Sequence, residues 1–217
     1  MQVKDDYLKD KIKICSHPLV QVAVSEIRSI NTNSLRFRRL IKEISRHVVY
    51  EALSDTPLKE IDVTTPIQET KGYDFKCNKF ILAPILRAGL SMIDGAVETL
   101  PFAEVRHIGL YRNEETLEPV EYYVKLPDSI DSETTVIIMD PMLATGGSAI
   151  TAVEVFKKRG INKIKFLCLI ASNPGVKALL KEHPEVQIYT AALDPELNEK
   201  GYIVPGLGDA GDRCFGT

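Results

Sequence analysis

The sequence predicts an α/β fold, a mostly parallel sheet flanked by helices. From residue 80 onward, short apolar runs rich in β-branched residues alternate with stretches of helical periodicity. The clearest run, Thr134-Thr-Val-Ile-Ile-Met139, is almost wholly apolar rather than alternating, as a strand covered on both faces must be. A chain of 217 residues, 44% hydrophobic and 26% charged, is long enough to bury such a core without disulfide or metal staples.

The elements follow in order. Residues 17–54 read as helical: Ser34 can cap a helix from Leu35, with Phe37, Leu40, Ile41, Ile44 and Val48 on one face. Its Arg36, Arg38 and Arg39 could bind an anion, or form a solvated or subunit-facing side. Leu58, Ile61, Val63 and Ile67 among Thr and Pro suggest extended chain with a turn near Lys71-Gly72. Strands are expected at Phe80 to Leu86, Val105 to Leu110, Val120 to Leu126, Thr134 to Met139, Ile164 to Ala171 and Val186 to Ala192. Helices are expected over about 89–100, from the loop after Met139 to Gly160, and over about 175–182. With no repeat, low-complexity tract or linker, the expectation is one domain over 1–217. It comprises N-terminal helices at about 17–54, a core at about 75–192 and a small C-terminal antiparallel hood at about 193–217.

Composition narrows the function. The 27 Lys and Arg against 30 Asp and Glu give a net charge of −3, and the pI is near 5.9. Neither suits a protein that grips nucleic acid through its charge. Cys15, Cys77, Cys168 and Cys214 form no CxxC pair, and four scattered histidines offer no zinc-ligand spacing. The charged start Met1-Gln-Val-Lys-Asp-Asp6 lacks the apolar centre of a signal peptide, and no stretch reaches the ~20 apolar residues of a membrane span. A soluble, cytoplasmic protein without nucleic-acid or membrane partners is expected.

In an open α/β sheet the ligand sits beyond the carboxyl ends of the strands. There the sequence places Asp140, Pro141, Met142, Leu143, Ala144, Thr145, Gly146, Gly147 and Ser148, running from a strand into a helix. Backbone N–H groups, two hydroxyls and a helix start around one point make a phosphate cradle. No lysine follows the glycines, so this is not a loop for nucleoside triphosphates. Asp140 can accept hydrogen bonds from a ribose diol whose 5-phosphate fills the cradle; a plain helix-capping turn is the other account.

Val136 to Ala149 resembles the phosphoribosyl-pyrophosphate (PRPP) loop of the type I phosphoribosyltransferases. Most of that family carries two adjacent acids before the loop. Here Met139 stands in place of the first, which is similar to the uracil branch. By the same resemblance Phe80 to Gly89 is the pyrophosphate loop, with Arg87 supplying charge and Ala88-Gly89 admitting the anion. Taken alone, Arg87 reads equally as a surface salt bridge. The charged stretch Tyr111 to Val120 reads as solvated loop, or as a lid excluding water from a reactive centre. The resemblance makes it the mobile loop and Arg112 a PRPP contact.

Gly206-Leu-Gly-Asp-Ala-Gly211 matches GxGxxG, but too little chain follows for the helix and second strand of a dinucleotide site. It reads instead as an irregular loop folded round a small flat ligand. Gly201 to Asp212 is similar to the family's uracil-binding hood, which implies Ile203, Gly208, Asp209 and Ala210 at the base, with Asp209 toward PRPP and its magnesium. Tyr189 to Gly201 and Ser16-His-Pro-Leu-Val20 also follow the family pattern; Gln21 to Ser25 departs from it.

The resemblance thus implies an enzyme converting uracil and PRPP to UMP and pyrophosphate, assisted by Mg2+, with Arg87, Arg112, Asp140 and Asp209 as the acting residues. It also implies a homodimer or homotetramer and GTP as an activator. An RNA-binding regulator on the same fold is the alternative, and it would need a basic face.

Overall fold

The computed structural model describes residues 10–77, 79–112, 119–127 and 130–217, of which 111–112 and 119–121 by their backbone only. Its elements are β1 (Ile12–Ile14), α1 (Pro18–Arg28), α2 (Ser34–Leu53), β2 (Leu58–Thr64), β3 (Glu69–Phe75) and β4 (Phe80–Leu86). A 3₁₀ turn, Ala88–Met92, leads into α3 (Ile93–Thr99), followed by β5 (Glu104–Val105), β6 (Ile108–Arg112), β7 (Pro119–Val124), β8 (Thr135–Met139) and β9 (Met142–Leu143). Then come α4 (Gly147–Lys157), β10 (Ile164–Ser172), α5 (Asn173–Glu182), β11 (Gln187–Asp194), β12 (Glu196–Leu197), β13 (Ile203–Val204) and α6 (Ala210–Phe215).

The main sheet runs β1-β11-β10-β8-β4-β6-β7, parallel except for the β6–β7 pair. Residues alternate between its faces. Ile137, Met139, Leu167 and Leu169 pack with Phe37, Leu40 and Ile44 of α2. Val136, Ile138, Phe166 and Cys168 pack with Ala152 and Phe156 of α4 and Leu179 of α5. Covering both faces is what makes these strands continuously apolar. The register Leu82↔Ile137 and Phe166↔Ile138 brings the ends of β4, β8 and β10 to one edge, where α4 and the turn after β4 begin.

Four local expectations are corrected. The turn of the β2–β3 hairpin lies at Thr65 to Gln68, not at Lys71-Gly72. There the Thr65 hydroxyl accepts the backbone N–H groups of Ile67 and Gln68 at 3.2 and 3.0 Å. Gly72 is in mid-strand because a side chain there would meet Val63 Cγ2 at 2.7 Å. Asn33, not Ser34, caps α2, accepting from the Arg36 N–H at 2.9 Å. The run expected as one strand at 105–110 divides into β5 and the start of β6, which pair with different parts of β4. A short helix, α6, does form on the GxGxxG segment, but no strand of the main sheet follows it.

Candidate active site

The cradle is built from the end of β8 and held from below by β10 and α5. Asp140 donates its backbone N–H to Leu167 O at 3.1 Å, and Pro141 O accepts from Leu169 and Ile170. The chain then adds β9 beside β10, so Met142 and Leu143 are pinned rather than free loop. Ser172 donates its hydroxyl to Ala144 O at 2.6 Å and accepts the Gly175 N–H at 2.9 Å. Gly175 approaches so closely that an added Cβ would lie 2.3 Å from Ala144 O. Gly146 takes φ +91°, a conformation that favours glycine, and turns the chain into α4. No side chain caps α4, so its first N–H groups point outward unsatisfied by the helix, beside the exposed Thr145 and Ser148. That is the arrangement a phosphate needs.

Arg87 stands at the neighbouring strand end, after β4; the Leu86–Arg87 peptide is cis. Its side chain is exposed and makes no hydrogen bond or ion pair among the described residues. Gly89 is required by close packing, because a Cβ there would meet Met139 O at 2.4 Å. Arg112 closes β6; its side chain and residues 113–118 of the stretch Tyr111 to Val120 expected as the lid lie outside the described residues, while the ends of that stretch belong to β6 and β7.

A cavity of about 320 Å³ lies next to the cradle, within the size range of small-molecule sites. Asp140, Met142 and Ala144 form one wall, and Ile203, Gly208, Asp209 and Ala210 the other. With Ala88 of the turn after β4, which also lines it, the fold thus brings together eight of the residues singled out from the sequence. Arg87 and Thr145 to Ser148 do not line it, nor do Pro141 and Leu143, which are buried beneath. Sequence reasoning placed Gly201, Tyr202 and Gly211 in the hood segment without giving them a role and left out Lys200, although all four line the cavity. Their signal was position: they border or interleave the hood motif. Asp209 also caps α6, accepting the Asp212 N–H at 2.9 Å.

Electrostatics mark Asp140. Burial pushes its carboxyl up to about 7, and the charge of Asp209 adds to the rise; a long contact from the Met142 N–H, 3.5 Å, opposes it. A larger cavity, about 620 Å³, lies at the other end of the sheet, by Thr135, Ile164 and Gln187. Its Lys79, Lys163 and Lys165 are paired with Asp131, Glu133 and Asp55. In an open α/β sheet the carboxyl edge is the ligand edge, and the smaller cavity is on it.

A parallel sheet whose strand-end acid precedes an uncapped, glycine-started helix is what the resemblance to the type I phosphoribosyltransferases implied. The family model described as uracil phosphoribosyltransferase matches residues 14–217, and the chain belongs to that family. It is 54% identical over 207 residues to the uracil phosphoribosyltransferase of Streptococcus pneumoniae strain R6, covering 95% of this chain and 99% of that one. The uracil phosphoribosyltransferase of Streptococcus mutans is 53% identical over the same coverage. Among solved structures, the AQ2163 protein of Aquifex aeolicus superimposes with a TM-score of 0.87 at 41% identity, over 94% of this chain and 97% of that one.

Proposed function

We propose that the protein transfers the phosphoribosyl group of PRPP to uracil, giving UMP and pyrophosphate in pyrimidine salvage. It is then a glycosyltransferase (pentosyltransferase). One observation carries this reading: Asp140 shares a cavity with Ile203, Gly208 and Ala210, so a ribose held by the first lies against a base held by the others.

In this reading the N–H groups and hydroxyls from Thr145 to Ser148, on the loop begun by Pro141 to Ala144, hold the 5-phosphate. Ionised Asp140 accepts hydrogen bonds from the ribose hydroxyls. Arg87 and Arg112 hold the pyrophosphate as guanidinium donors. Backbone groups around Ile203, Gly208, Asp209 and Ala210 match the donor and acceptors of uracil; cytosine would leave buried polar groups unpaired. The bond from the anomeric carbon to pyrophosphate breaks with its electron pair leaving on oxygen, and N1 of uracil bonds to the opposite face with loss of its proton. The protein contributes positioning and charge.

Asp140 and Asp209 are the carboxylates lining the cavity, oxygen donors of the kind Mg2+ takes. Such a donor set fits Mg2+ held mainly through PRPP's own oxygens. That ion supplies charge neutralisation for the departing pyrophosphate.

A homodimer or homotetramer is supported by the β2–β3 hairpin, which pairs with no other strand among the described residues and exposes Leu58, Ile67 and Tyr73; a lone hairpin is marginal in water. GTP activation rests on the resemblance alone. A reducing cytoplasm fits four cysteines that are all free. No helix among the described residues is long and apolar enough to cross a membrane.

The test is pyrophosphate release from PRPP and magnesium with uracil, cytosine, hypoxanthine or orotate as acceptor. Release with uracil is expected; preference for another base overturns the substrate.

A further inference from the structure

The segment assigned to the base has little regular structure to hold it. β13 is two residues long and α6 six, with Pro205 to Asp209 between them. Side chains do the holding. Asp194, at the end of β11 and 5% exposed, accepts the Gly206 N–H at 2.9 Å. Arg28, the last residue of α1, donates two hydrogen bonds to the Asp194 carboxylate, both at 2.7 Å. The same Nη1 also reaches Gly206 O at 2.7 Å. Both polar groups of Gly206 are thereby engaged by one partly buried ion pair. One residue on, Arg213 of α6 donates to Leu207 O at 2.8 Å. It donates also to Ile27 O and Ser29 O, at 2.8 and 2.6 Å, and its guanidinium lies 4.5 Å from the ring centre of Phe37.

We propose that Arg28, Asp194 and Arg213 are positioning residues for uracil: they clamp Gly206 and Leu207 so that the flanking Ile203 and Gly208 present their backbone in one fixed geometry. The proposal rests on the assignment of residues 201–212 to the base. None of the three clamp residues lines the cavity. Their action is indirect, through the backbone, and falls on base recognition rather than on PRPP, whose cradle is held by Ser172 and Gly175 instead. Fixing a recognition loop in advance removes the ordering cost from the binding step. It also enforces discrimination, because a rigid backbone cannot shift to pair with the wrong base.

The test compares wild type with R28K, D194N and R213K by steady-state kinetics on the full chain, varying uracil and PRPP in turn, with cytosine as competing acceptor and a thermal melt of each variant. Lysine keeps the charge of Arg28 but loses the two-pronged bond. In R28K and D194N, KM for uracil should rise roughly tenfold while KM for PRPP moves less than about twofold, and preference for uracil over cytosine should fall. R213K, which leaves the Arg28–Asp194 pair intact, should show the same split if either other variant fails to fold. If both KM values move together, or neither moves while the melting temperature drops, the residues are only structural and the clamp is overturned. Wild type that forms no UMP from uracil overturns the base assignment itself, and the clamp with it.

Discussion

Asp140 and Asp209 line the same cavity, and the charge on Asp209 joins burial in pushing the Asp140 carboxyl up to about 7. Only an ionised Asp140 accepts from both hydroxyls of a ribose. KM for PRPP should therefore fall as pH rises from about 6 to about 8. In D140N this dependence should flatten and PRPP use be impaired at every pH, while the circular dichroism spectrum stays that of wild type. A pH profile of KM for both variants checks this; wild-type turnover by D140A at low PRPP would remove Asp140 from the ribose.

The same raised carboxyl affects stability in the absence of substrate. The unfolded chain ionises Asp140 near pH ~3.9, the folded chain near 7, so between those values the folded state holds the extra proton. Asp140's contribution is thus most favourable below about pH 4 and is lost as pH rises through 7. D140N should be more stable than wild type at pH 8, by on the order of 2–4 kcal/mol, and the difference should shrink toward pH 4. Urea melts at the two pH values measure it.

Gly175 lies outside the loop motif yet sets its floor. An alanine there would place Cβ 2.3 Å from Ala144 O and 2.7 Å from Leu143 O, both backbone atoms that cannot swing aside. G175A should lose roughly 1–3 kcal/mol of stability and raise KM for PRPP more than KM for uracil. Equal changes in the two constants would show that the floor does not control the cradle.

In the proposed homo-oligomer a second copy of the chain would cover the β2–β3 hairpin. Ile67 is 90% exposed and Tyr73 73%. Replacing both by Asp should shift the sedimentation coefficient toward that of a single chain. An unchanged coefficient would separate the hairpin from assembly.

Much of this architecture was legible in the residues themselves. β8 and β10 could be read because both their faces are buried, which makes apolar runs unbroken, and Asp140 because it follows such a run directly. Other features were hidden for specific physical reasons. Gly72 mimics a turn signal but serves Val63 across the hairpin. β9, two residues inside a glycine-bearing loop, is created by pairing with β10 and has no periodicity to detect. The clamp was invisible because Arg28 and Asp194 are 166 residues apart, and nothing local distinguishes either from a surface charge.

The placement of Arg213 has a consequence for synthesis on the ribosome. Everything the cradle needs, from β4 through α5, has been made well before residue 213 emerges. The base wall needs that arginine to reach back to Ile27 and Phe37. As the nascent chain folds from its N-terminal side, the half proposed to hold the sugar phosphate can take shape first, and the half proposed to hold the base is the last to be completed.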